Sequence, residues 1–95
     1  MTIVEAARGI TGGVDTHRDV HVAAGPGPAG WSARHRESFS TDPAGYKALV
    51  SWLQGFGDVT KIGVEGTGSY GAGLTRHLRR VGVEVIEVDR PNRQG

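Results

Sequence analysis

The sequence predicts an α/β domain built on a mixed sheet, with elements in the order β-β-β-α-β-α-β. Three observations predict it. Short apolar or alternating runs of strand length recur at 10–16, 20–24, 31–40, 61–66 and 83–88. Between the last three of these runs lie two segments with apolar residues at helical spacing. The sixteen glycines form neither a repeat nor a low-complexity tract. They cluster at element boundaries, at Gly12-Gly13, Gly25 to Gly30, Gly55 to Gly57 and Gly63 to Gly73, where turns and close approaches need them.

Residues 1–9 read as a flexible leader and 10–95 as the domain. Ile10 to Thr16 reads as a short buried strand and Val20 to Ala24 as a second. The few residues between them suit a tight connection, so these strands should be antiparallel. Gly25-Pro26-Gly27-Pro28-Ala29-Gly30 reads as a turn, anchored by Trp31. Trp31 to Ser40 reads as an edge strand, with Arg34, Arg36 and Ser38 on one face and Ala33, His35, Glu37 and Phe39 on the other.

Thr41-Asp42-Pro43 is a helix start, a capping side chain followed by proline in the first turn. Tyr46, Leu49, Val50, Leu53 and Phe56 form its apolar stripe, with Trp52 off the stripe, and Gly55 and Gly57 end it. Lys61 to Gly66 is a strand, Thr67-Gly68-Ser69 its exit turn, and Ser69 a candidate cap for the second helix. There Leu74, Leu78 and Val81 share a face opposite Arg76, Arg79 and Arg80, and Gly82 closes it. Val83 to Val88 alternates apolar and acidic residues as a strand does, and Asp89-Arg90-Pro91 stops it.

An antiparallel meander that runs into right-handed β-α-β units puts the fourth strand parallel to the first and the fifth outside the fourth. That is the start of a ribonuclease H-like fold, incomplete at its C-terminus.

A chain of 95 residues makes one domain, and one this small is marginally stable alone. Eleven basic against ten acidic residues leave a charge of +1, which neither demands nor excludes a nucleic-acid partner. With no cysteine, disulfides and cysteine-ligated zinc are excluded. No apolar run approaches the ~20 residues of a membrane span, and Met1 to Gly9 has no secretory core. A cytoplasmic protein is the default expectation.

Asp15 and Glu65 each follow Gly-Val and each end a predicted buried strand. If the two strands are parallel neighbours, their C-terminal ends lie about 5 Å apart, at the edge where open α/β sheets bind ligands. Two carboxylates there repel unless a cation lies between them, and hard oxygen donors favour Mg²⁺ or Mn²⁺. Such ions serve phosphoryl chemistry. Taken singly, a strand-end Asp is more often a turn former and a strand-end Glu more often solvated. The glycine-rich turn from Gly66 to Gly71 opens a helix whose N–H groups suit an anion, though its spacing fits neither Walker A nor the dinucleotide fingerprint.

The run from Gly13 to Ala24 (GVDTHRDVHVAA) and the run from Gly63 to Gly71 (GVEGTGSYG) resemble the two opening signatures of DEDD-type, RuvC-like insertion-sequence transposases. This group includes the pilin-gene invertases and the RNA-bridged recombinases. Val85 to Pro91 resembles the family's next strand and loop. The resemblance covers the chain from Gly12 onward, and the fifty-residue separation of Asp15 and Glu65 makes it specific. It implies a RuvC-like domain whose four carboxylates bind Mg²⁺ and cut and join DNA strands. Asp15 takes the place of the first Asp and Glu65 that of the Glu. The third and fourth carboxylates, and a second domain with a catalytic serine, belong downstream of Gly95. Arg18 stands where the family commonly has lysine.

The expectation is an N-terminal transposase or recombinase fragment, catalytically incompetent alone. Its implied partners are DNA, a guide RNA and, in the full-length family, further copies of itself. Candidate nucleic-acid contacts are His17, Arg18, Thr67, Ser69, Tyr70, Arg76 and Arg80. Against them stand plainer roles: a turn histidine, a solvated arginine face, a tyrosine packed on its helix. The alternation Asp15, His17, Asp19, His21 resembles a metal-ligand ladder that the intervening turn should break. Two rivals remain. One is an actin-like or sugar-kinase nucleotide-binding half, against which Thr16-His17-Arg18 counts, because that place should hold a phosphate turn. The other is a non-catalytic module that binds nucleic acid or a partner subunit.

Overall fold

In the computed structural model the described residues are 11–27 and 30–88, the side chains of 30–32 excepted. The expected leader, the Trp31 anchor and the stop at Asp89-Arg90-Pro91 lie outside them. The elements are β1 (Gly12–Thr16), β2 (Val20–Gly27), β3 (Gly30–Ser40), α1 (Pro43–Gln54), β4 (Lys61–Glu65), α2 (Ala72–Arg80) and β5 (Glu84–Val88). They form one five-stranded sheet in the order β3-β2-β1-β4-β5. The expected topology is therefore realised, a mixed sheet in a ribonuclease H-like arrangement with β3 at its edge.

β1 and β2 form a tight antiparallel hairpin, with Asp15 opposite Val22 and Thr16 opposite His21. The His17 amide donates to the Val20 carbonyl at 3.1 Å and closes the turn. β2 continues through Gly27, into the segment expected to be a turn. A register shift between Gly25 and Gly27 absorbs Pro26, a residue that a bulge tolerates because it has no N–H for the ladder. A Cβ at Gly25 would lie 2.6 Å from the Phe56 ring, so a larger residue there would push that ring aside.

β4 lies parallel to β1, with Val14 beside Val64, and β5 parallel to β4. Strand alternation then puts Val14, Ala23, Ile62 and Val64 on one face, where they bury against Leu49, Val50 and Leu53 of α1 and Leu74 and Leu78 of α2. Both helices therefore cover the same face. Removing this apolar surface from water is the main stabilising term.

α1 starts as expected. The Asp42 carboxylate accepts the Gly45 amide at 2.8 Å and the Ser40 hydroxyl at 2.9 Å, with Pro43 in the first turn. Past its end, Phe56 stacks on His35 (5.5 Å between centroids) and meets Trp52 edge-on (4.9 Å). Trp52 also leans on Phe39 at 5.8 Å. The off-stripe tryptophan thus packs toward β3, and its neighbours are present.

Two expectations for α2 are corrected. Ser69 does not cap it: the helix starts at Ala72, Gly71 occupies the N-cap position, and no side chain caps it. Ser69 is spent inside the turn, its amide and hydroxyl both directed at the Gly66 carbonyl. Val81 is not on the buried face but 52% exposed. It is the C-cap residue, where the chain leaves the helical path, and Gly82 at φ +87° redirects the chain so that Val83 is buried instead.

Candidate metal and nucleic-acid site

Asp15 and Glu65 are both the residues after a paired valine, Val14 beside Val64. Side chains alternate along a strand, so both acids leave the sheet on the face that the helices do not cover. They stand at the C-terminal ends of adjacent parallel strands. The ends are tied directly: the Thr16 hydroxyl donates to the Glu65 carbonyl at 2.7 Å. Thr16 itself is fully buried on the helix side.

Gly13 and Gly63, one alternation back from the two acids, leave the sheet surface bare. The result is a cavity of about 260 Å³ that Asp15, Glu65, Val22, Ala24 and Val88 line. Arg34 and Arg36 of β3 line it too. Asp15 keeps its side chain 52% exposed, and Glu65 is half-buried. The two acids thus share one cavity with a glycine floor, and their carboxylate oxygens are donors of the hard kind that divalent cations take.

The other candidates fall in three places. His17 joins the acid pair, with Nε2 3.2 Å from Asp15 Oδ2, and Arg18 and Asp19 are exposed in the following turn. His21 does not join them. It is fully buried on the helix face, 6.0 Å from the Tyr46 ring and parallel to it. That breaks the ladder, and among the described residues no group of three or more His, Asp or Glu is placed to hold a metal.

Thr67, Ser69 and Tyr70 lie in the turn that leaves Glu65, with Thr67 half-buried and the other two exposed. The turn folds back on itself: the Gly71 amide donates to the Gly66 carbonyl at 2.9 Å and the Ala72 amide to the Ser69 carbonyl at 3.1 Å. Those amides are taken, so this turn offers an anion fewer donors than its glycine content suggests. Arg76, Arg79 and Arg80 are exposed on α2, on the other side of the sheet from the acids. Arg90 and Arg93 lie outside the described residues.

Sequence reasoning missed Arg34 and Arg36 as members of this cavity. The strand pairing, not the sequence alone, brings them in. Arg36 pairs with Ala24 and Ala24 with Gly13, so the polar face of β3 is the face that carries Asp15.

A family model for IS110-type DEDD transposases, described as transposase, matches residues 12–93. The chain belongs to that family. No significant match among curated proteins was found. The DEDD transposase assignment agrees with the mixed sheet and its strand order. Among the described residues no helix is long and apolar enough to cross a membrane.

Proposed function

We propose that this chain supplies Asp15 and Glu65 as two ligands of the Mg²⁺ or Mn²⁺ site of a DNA transposase that cuts and joins strands by phosphoryl transfer. The observation that supports this reading is that β1 and β4 pair in parallel through Val14 and Val64, the residues before the two acids, and that Asp15 and Glu65 line one cavity. A bound divalent ion would supply Lewis acidity to phosphate oxygens and a more acidic attacking hydroxyl or water.

The chain's own residues do the rest. Thr16 holds the two strand ends together. His17 holds one Asp15 oxygen and so sets the carboxylate's orientation. The turn from Thr67 to Tyr70, with Arg18, borders the acids and contacts nucleic acid. DNA is the partner, with a guide RNA and further copies of the chain as additional partners of the assembled enzyme. Two carboxylates bind a cation weakly, so the 95-residue chain alone does not cleave DNA.

Calorimetric titration with Mg²⁺ tests the reading. Weak binding that disappears in Asp15→Asn/Glu65→Gln supports it, as does the absence of Mg²⁺-dependent cleavage by the chain. Unchanged Mg²⁺ affinity in the double variant refutes the metal assignment. Efficient cleavage by the wild-type chain refutes the incompetence.

A further inference from the structure

The uncovered face of the sheet is not only an acidic corner. Arg34 and Arg36 lie on the edge strand, two strands away from β1, and line the same cavity as Asp15 and Glu65. Arg36 sits in the row of Gly13 through Ala24, one alternation from the row of Asp15, Val22 and Ser38. Strand spacing of about 4.8 Å and a rise of about 3.4 Å per residue put its backbone roughly 12 Å from that of Asp15. A guanidinium on its long stem covers much of that distance. Between Arg36 and Asp15, Gly13 places no side chain, and Val22 and Ala24 of β2 make a low apolar floor; Gly63 and Val88 line the cavity on the far side of β1.

We propose that Arg34 and Arg36 form a phosphate clamp that holds the backbone of a DNA strand across this face, next to the acid pair. This deepens the transposase reading and rests on it for the identity of the polymer. The charge pattern favours such an occupant. A phosphodiester needs a cation at the carboxylate end and fixed positive charge further along, and guanidinium groups match phosphate oxygens in fork geometry. The arginines of α2, by contrast, stand on the opposite side of the sheet.

Fluorescence anisotropy of a labelled single-stranded DNA oligonucleotide tests the clamp, with the folded state of each variant verified by circular dichroism. The decisive comparison is made in EDTA on the Asp15→Asn/Glu65→Gln background, where acid–phosphate repulsion and metal both drop out. There, adding Arg34→Gln/Arg36→Gln should weaken binding about tenfold or more and flatten the salt dependence by about 1.4 in log–log slope. Arg34→Lys/Arg36→Lys should keep most of the affinity. Arg76→Gln/Arg80→Gln should cost less than the β3 pair. The clamp is overturned if the β3 double variant binds like its parent, or if the α2 pair alone removes binding. It is also overturned if an RNA of the same sequence binds more than tenfold tighter. A metal-independent wild type with arginine-dependent binding would refute the metal reading and leave the clamp standing.

Discussion

Thr16 on β1 and Glu65 on β4 are joined side chain to backbone, the Thr16 hydroxyl donating to the Glu65 carbonyl at 2.7 Å. Each partner adjoins or is one of the two acids, so this bond sets how the strand ends meet. Thr16→Val removes the donor and leaves a partly buried carbonyl with one fewer partner. We expect a loss of about 1–2 kcal/mol in urea unfolding, together with weaker Mg²⁺ binding. Thr16→Ser should recover most of both.

Gly71 makes the same junction possible from the other side. A Cβ there would lie 2.8 Å from the Gly66 carbonyl oxygen, 3.0 Å from Thr16 Cγ2 and 3.1 Å from the Glu65 carbonyl oxygen. Two of these three neighbours are backbone and cannot swing away. Gly71→Ala should destabilise by about 1–3 kcal/mol and shift the amide resonances of residues 65–67. Gly68→Ala, where the added methyl meets open space, should be nearly neutral.

His21 should make stability depend on pH. It is fully buried and neither ring nitrogen meets hydrogen-bond geometry with a partner. Burial holds its pKa below the usual 6.5, His17 adds to the effect, and the Val20 backbone opposes it only in part. Tyr46 stacks on its ring and bears no charge to offset a proton. The unfolded chain therefore binds the proton more readily than the folded one. Stability should be full above about pH 7 and fall as pH drops through 6.5 toward the lowered value. His21→Phe should flatten that slope in denaturation curves collected between pH 7.5 and 5.

Trp52 links β3 to the end of α1 through Phe39 and Phe56. Trp52→Ala should cost about 2–4 kcal/mol, toward the low end of aromatic truncations because the side chain is only half-buried. The same change should loosen the edge strand, read as faster amide exchange at residues 35–39 without change at 62–64.

The topology was legible because each signal was local and consistent. Asp42-Pro43 starts α1, the alternation in 83–88 makes β5, and the short link at 17–19 forces a hairpin. That Asp15 and Glu65 would follow neighbouring valines on adjacent strands was legible because Gly-Val precedes both, which sets a common register once β1 and β4 are neighbours. The break in the Asp15–His21 alternation was expected from the turn at 17–19, and His21 is buried in the helix layer. Ser69 does not cap because its hydroxyl turns to the Gly66 carbonyl and the helix starts only at Ala72, with Gly71 at the N-cap. What else failed was governed by contacts distant in sequence. β2 outruns its expected end because it stays paired with β3 through Gly25–His35 and Gly27–Gly30. Arg34 and Arg36 were seen as a polar strand face, but only the strand order shows which other residues share it.

Whether Asp15 and Glu65 share a cation is the central question, and residue-resolved Mn²⁺ titration by NMR tests it directly. The prediction is selective paramagnetic broadening of amides at 13–17 and 63–67 at low Mn²⁺, competed by Mg²⁺ and absent in Asp15→Asn/Glu65→Gln. Broadening centred elsewhere, or the same pattern persisting in the double variant, would contradict it.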